Sequence, residues 1–143
     1  MFLGQYARTI DEKSRMALPP EFRSGLKTGA VLTRSLDNCL CIYPAAWWET
    51  LVHAVSDLPD IRIEVRTLVR SLFGCAIACD MDRQGRIVIP GFLSEDAGLC
   101  GEAMVVGANN RIEIWNKEAW SREQEHFKGE GARLAETFAV PRV

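Results

Sequence analysis

The sequence predicts an α+β fold made of two tandem β-β-α-β-β-α repeats that close into one pseudo-symmetric body. Three observations carry this. Asp11-Glu12-Lys13-Ser14-Arg15, followed by Met16-Ala17-Leu18-Pro19, returns 71 positions later as Asp82-Arg83-Gln84-Gly85-Arg86, followed by Ile87-Val88-Ile89-Pro90. After a one-residue insertion, Leu40-Cys41-Ile42-Tyr43 returns as Ile112-Glu113-Ile114-Trp115, and Trp48 as Trp120, at a separation of 72. Self-similarity at a fixed period marks a duplicated unit. The composition, 48% hydrophobic and 25% charged over 143 residues, is that of an ordinary globular chain. A half of this size is marginal alone, so the two halves are expected to share one core.

Within the first repeat, Gly4 to Ile10 and Arg15 to Leu18 read as short strands around the turn-forming segment Asp11-Glu12-Lys13-Ser14. Asp bonds the backbone two residues on, and Ser or Gly tolerates the bend. The second copy, Asp82-Arg83-Gln84-Gly85, offers Gly for a positive φ. Both segments are expected to be hairpins with the D-x3-R unit at the tip. Pro19-Pro20-Glu21-Phe22-Arg23 and Pro90-Gly91-Phe92-Leu93 then open short helices, because Pro suits a first helical turn. A second hairpin follows in each repeat, Ala30–Thr33 with Cys39–Tyr43 and Ala103–Val106 with Arg111–Trp115. Its turns carry Asn, which enters the left-handed region readily.

Each repeat ends in a helix. Pro44 opens one with an apolar face of Trp47, Leu51, Val55 and Leu58, and Asn116 is the expected cap of its partner. Ile61, Val65, Leu68 and Leu72 mark a connecting helix without a counterpart, with Asp60 as its expected cap. The four Trp are expected to pack helix against hairpin. The tail from Phe138 to Val143 is expected to fray.

Net charge is −2 and the pI about 5.7, which argues against indiscriminate binding to nucleic acid and leaves room for a local basic patch. Glu113, Glu118, Glu123, Glu125, Glu130 and Glu136 crowd the C-terminal third, whereas Arg8, Lys13, Arg15, Arg34, Arg83, Arg86 and Arg111 lie in the hairpin regions. No apolar run approaches the roughly 20 residues that span a bilayer. No signal peptide is evident at the N-terminus, so a cytoplasmic protein is expected. Cys39-x-Cys41 and Cys75-x3-Cys79 lack metal-ligand spacing with His53 or His126, so the five Cys read as reduced structural thiols.

Catalysis finds no repeated machinery. Neither His falls in the repeated motif, Ser14 and Ser94 lack a repeated base, and Asp80 with Asp82 has no matching pair in the first half. No phosphate-cradling glycine loop is present. No enzyme activity, cofactor, metal or small-molecule substrate is expected. The paired D-x3-R units remain. Turn chemistry requires the Asp and not the Arg, whereas an Arg just past a tip presents a forked donor to phosphate or guanine.

The order Gly4-x6-Asp11-x-Lys13-x-Arg15, Pro19, then Asp82-x2-Gly85-Arg86-x3-Pro90, together with the opening Met-Phe-Leu-Gly, resembles the MraZ family over essentially the whole chain. The resemblance implies two AbrB-like swapped-hairpin units. They would occupy 5–48 and 76–120 as SpoVT-AbrB-like repeats, joined by connecting helices over 49–75 and followed by a C-terminal helix and tail over 121–143. It further implies a ring-shaped homo-oligomer associated with the nucleoid. Such a ring would bind double-stranded DNA at short direct repeats in its own promoter and would regulate, as a repressor, the division and cell-wall gene cluster. Asp11, Lys13, Arg15, Asp82, Arg83 and Arg86 would face the DNA. The alternative is an oligomeric scaffold without DNA binding. Ser14 stands where the family has Gly, and Gln84 where the first repeat has Lys13, which sets equal contributions from the two tips in question.

Overall fold

The structure, a computed structural model, describes residues 1–141; Arg142 and Val143 of the expected frayed tail lie outside them. The chain runs β1 (Gln5–Thr9), β2 (Arg15–Ala17), α1 (Pro20–Arg23), a 3-10 turn (Ser24–Leu26), β3 (Ala30–Arg34), β4 (Leu40–Pro44), α2 (Ala45–Ser56) and α3 (Ile63–Phe73). The second half follows as β5 (Ile77–Ala78), β6 (Arg86–Val88), α4 (Gly91–Asp96), β7 (Glu102–Gly107), β8 (Ile112–Trp115) and α5 (Lys117–Thr137). The mixed α+β class is as the sequence predicts.

The pairing of strands crosses between the halves. A six-stranded sheet has the order β1-β7-β8-β4-β3-β5, and β2 with β6 makes a separate two-stranded ribbon. The third and fourth strands of each half form the expected hairpins, β3 with β4 and β7 with β8. The first strands do not stay at home: β1 pairs with β7 and β5 with β3. Counterpart strands also face one another, with Met16 opposite Ile87 and Cys41 opposite Glu113. A residue that faces its own counterpart lies on a two-fold axis, so a pseudo-two-fold runs through both pairs.

The expected hairpins at the D-x3-R units are therefore only turns. Asp11 and Arg15 close one backbone bond of 2.9 Å and Ile10 bridges Met16, after which β1 and β2 part to pair with the other half. Local alternation in the sequence reports strands without naming their partners.

Alternation of side chains along each strand gives the sheet two faces. On one, Leu32, Leu40, Ile42, Val105, Ile112 and Ile114 meet Met16, Leu18, Ile87 and Ile89 from the ribbon region, with Phe22 of α1 and Leu93 of α4, in one core drawn from both halves. Burial of each such side chain contributes about 1.5–3 kcal/mol. The opposite face carries α2, α3 and α5. Trp48 packs on Tyr43 and edge-on against Phe73, and Trp115 packs on Trp120. Three of the four Trp thus join helix to sheet as expected, whereas Trp47 is exposed. Asn116 caps α5, accepting the Ala119 N–H at 3.0 Å. Asp60 does not cap α3. The helix begins after Arg62, and Ile61, assigned to its apolar face, lies outside it and exposed.

Ser14 and Gly85 occupy the same left-handed position, at φ 62° and 75°. This conformation costs an L-residue roughly 1–2 kcal/mol. Ser14→Gly is expected to stabilise the protein by about 0.5–1 kcal/mol, a rise in melting temperature of roughly 2–4 °C per kcal/mol. Gly85→Ala is expected to lower it, because the position has a positive φ and a Cβ there would run into Arg23 Nε, which is held on the Leu18 carbonyl. Thermal melting of both variants checks the sign of each change.

Candidate nucleic-acid interface

The two D-x3-R units have the same hydrogen bonding. Asp11 Oδ1 accepts the backbone N–H groups of Lys13 and Arg15, each at 2.9 Å, and Oδ2 accepts Arg15 Nε at 2.8 Å. Asp82 Oδ1 accepts the N–H groups of Gln84 and Arg86 at 2.9 Å, and Oδ2 accepts Arg86 Nε at 2.8 Å. The Asp thus ties the turn and holds the Arg in one act. Each guanidinium spends Nε on its Asp, and among the described residues neither Nη of Arg15 or Arg86 meets a hydrogen-bond partner. Two planar donors per Arg are left facing outward, in the fixed geometry that suits bidentate recognition of phosphate or guanine.

The ribbon brings these donors together. Met16 and Ile87 point into the core, so Arg15, Ala17, Arg86 and Val88 share the outer face. Arg15 lies opposite Val88 and Arg86 opposite Ala17. The two Arg are therefore diagonal neighbours, roughly 7–8 Å apart in such a ladder. Two residues 71 positions apart in sequence end up side by side. A two-stranded ribbon fits a major groove about 12 Å wide. Lys13 and Arg83 are exposed on the turns and Gln84 is exposed at the place of Lys13, so every sequence-predicted site residue lies on the ribbon or its tips.

Other basic residues named from the sequence are committed elsewhere. Arg34 pairs with Asp96 at 2.6 Å, Arg111 with Glu113 at 3.0 Å, and Arg8 lies over the Tyr6 ring at 5.6 Å. Sequence reasoning missed Arg23. It donates from Nε and Nη2 to the Leu18 carbonyl, at 3.1 and 2.9 Å, and lies against Gly85 of the opposite turn. Its counterpart in the second half is Ser94. The faint signal was that Gly stands at 85 and Ser at 14: the turn beneath the long Arg23 has no side chain. The halves are further locked at the turns, where the Leu18 N–H donates to the Gly85 carbonyl and the Ile89 N–H to the Ser14 carbonyl, both at 2.9 Å.

Asp80 and Asp82 do not make a paired acid, since both oxygens of Asp82 are occupied by its own turn. The five Cys are free thiols. Cys39, Cys41 and Glu113 bring their donor atoms within 4.8 Å of one another at the pseudo-two-fold axis, a grouping that spacing along the chain did not reveal. Glu113 is already held by Arg111 and by Trp115 Nε1 at 3.0 Å. The Cys39 thiol is raised by its bond to Cys41 and by burial, and burial with Asp80 nearby pushes Cys79 up to about 12. Both stay protonated and inert at neutral pH.

The sequence matches the model of a family described as "MraZ protein, putative antitoxin-like" twice, over residues 1–71 and 72–140. The chain belongs to this family. The two matches meet near the end of α3, two residues before its last residue, Phe73. Among curated relatives, a transcriptional regulator MraZ of Pelotomaculum thermopropionicum is 43% identical over 139 residues, covering 97% of this chain and 93% of the relative. Those of Moorella thermoacetica and Herpetosiphon aurantiacus are 41% and 42% identical, each over 95% of both chains. The relatives carry the names of regulators, not of enzymes.

Backbone N–H groups of Arg15 and Arg86, followed by their side chains, hold the Asp11 and Asp82 carboxyls below the ordinary 3.8. A carboxyl lowered on folding stabilises the fold above its unfolded value, and that contribution is lost as pH falls through the folded value. Both turns are expected to persist at pH 3.8 and to open below it. Carboxyl carbon shifts of Asp11 and Asp82, followed by NMR during acid titration, should give midpoints under 3.8; midpoints at or above it would refute the buttressed turn.

Proposed function

We propose that the protein is a sequence-specific DNA-binding transcription regulator without enzymatic activity. It acts as a repressor of the division and cell-wall gene cluster and binds short direct repeats in its own promoter as a ring-shaped homo-oligomer. The observation that carries this reading is the pair of Asp-buttressed guanidiniums on the outer face of the β2–β6 ribbon, their Nη groups free for an anion or a guanine edge. The names of the relatives point the same way. The exchange of first strands between halves supports an AbrB-like swapped-hairpin architecture, with repeat units over 5–48 and 76–120. We place the protein in the cytoplasm, on the nucleoid.

Overall charge decides how such a protein must bind. With −2 net charge and a handful of outward cations, one copy binds weakly. Linking several weak contacts raises avidity by roughly 10²–10⁴ without a new contact, which is what a ring on direct repeats provides.

Arg15→Ala and Arg86→Ala are expected to leave folding and assembly mass unchanged while weakening operator binding by about 1–3 kcal/mol per lost bidentate contact. Fluorescence anisotropy on the DNA upstream of the gene measures this. Wild-type affinity in both variants would leave the tips as plain turns that do not meet DNA, whereas loss of binding together with assembly would make the arginines structural and favour the scaffold alternative.

Salt dependence supplies a second check. Log K should fall with log salt at about −0.9 per phosphate contact, steeper than one copy's tips allow, and shortening an operator to a single repeat should weaken binding sharply. Equal affinity for one repeat and several would contradict multivalent reading.

A further inference from the structure

The pseudo-two-fold axis passes between Cys41 and Glu113, and the two halves have filled their sides of it with different chemistry. In the first half Cys39 and Cys41 alternate along the strand. Arg111 and Glu113 hold the same places 72 positions on. Leu40, Ile42, Ile112 and Ile114 point into the core, so the four polar groups belong to the sheet face away from the ribbon. Cys39 Sγ, Cys41 Sγ and a carboxylate oxygen of Glu113 lie within 4.8 Å of one another, and all three residues are buried. Among the described residues no other three His, Cys, Asp or Glu are gathered in this way.

A buried carboxylate needs a partner or a metal. Glu113 Oε2 meets Arg111 through Nε at 3.1 Å and Nη2 at 3.0 Å, and Oε1 accepts Trp115 Nε1 at 3.0 Å. Oε1 keeps a lone pair beyond that bond. Carboxylates that ligate metals are themselves hydrogen-bonded by their surroundings, which is the part Trp115 and Arg111 can play. Charge also fits. Arg111 cancels Glu113, so the two thiols, once ionised, leave the charge that one divalent cation neutralises. Solvent comes close. Asp37 lines two cavities, one shared with Ser35 and Cys39, the other with Arg111 and Glu113.

We propose that Cys39, Cys41 and Glu113 form a binding site for one thiophilic divalent cation of the zinc class. Zinc takes thiolate sulfur at about 2.3 Å and carboxylate oxygen at about 2.0–2.2 Å. Thiolates select it over magnesium and calcium. The donors need only close in by a side-chain rotation. Binding is an exchange without oxidation: each S–H bond breaks, its proton goes to water and a sulfur–metal bond forms. Cys39 Sγ, now 3.0 Å from Ser35 Oγ, gives up that contact's proton in the exchange. Affinity therefore falls as pH falls. The ligands come from β4 and β8, so the ion clasps the two halves and its binding free energy adds to folding.

The test titrates the full, reduced chain with Co2+ and then Zn2+. Co2+ should give thiolate-to-cobalt charge-transfer bands that saturate at one ion per chain. Zn2+ should displace them and raise the melting temperature. Cys39→Ala and Cys41→Ala should lose both effects. Trp115→Phe keeps every ligand and removes one bond to Glu113; it should weaken affinity about 10–100-fold. The triple variant Cys75→Ser, Cys79→Ala, Cys100→Ser leaves Cys39 and Cys41 as the remaining thiols and should bind like wild type. No charge-transfer bands from the wild type would overturn the proposal without any variant. Bands that persist in folded Cys41→Ala, or that vanish in the folded triple variant, would place the ion on other thiols and overturn it as well. Circular dichroism establishes which variants are folded; if the alanine variants are not, the triple variant decides between the two sets of thiols.

Discussion

Everything in this molecule depends on strands that face their own counterparts. Met16 opposite Ile87 and Cys41 opposite Glu113 place a pseudo-two-fold axis through both sheets. Around it β1 and β5 exchange, each completing the sheet of the other half. The core draws its side chains from both halves, so each half completes the other. The same axis makes the candidate site. It takes two turns 71 residues apart, folds each around its Asp, and sets their Arg side chains diagonally on one ribbon face.

The parts of this that were legible in the sequence are those with local causes. Proline at the helix starts, Asn116 at the head of α5 and the hairpins β3–β4 and β7–β8 each follow from residues within a few positions of one another. The D-x3-R units stood out because the pattern occurs twice, Asp and Arg together. Illegible were the long-range choices. The residues flanking Asp11 alternate as a hairpin would, yet β1 gains more from β7 than from β2. Ile61 extended a helical apolar face in register, but Arg62 starts the helix and leaves Ile61 outside it. Arg23 went unseen because Ser94 stands at its counterpart and no repeat flagged it.

The departures from symmetry are informative in the same way. Gly85 sits beneath Arg23, whereas Ser14 faces the half that lacks such a side chain and bears the strain of a positive φ. Glu12 and Lys13 stand on one tip, where Arg83 and Gln84 stand on the other. Val55 is covered and Phe127 is not. Two copies of one unit have diverged where their surroundings differ: under the ribbon, at the tips, and at the terminal helices.

The central claim is that the outer face of the β2–β6 ribbon meets DNA and the helical face does not. Site-specific photocrosslinking to operator DNA tests it most directly, with the probe placed in turn at Lys13, at Gln84 and at Glu125 on α5. The account predicts crosslinks to DNA from both tips and none from α5. Crosslinking from Glu125 with silent tips would contradict it.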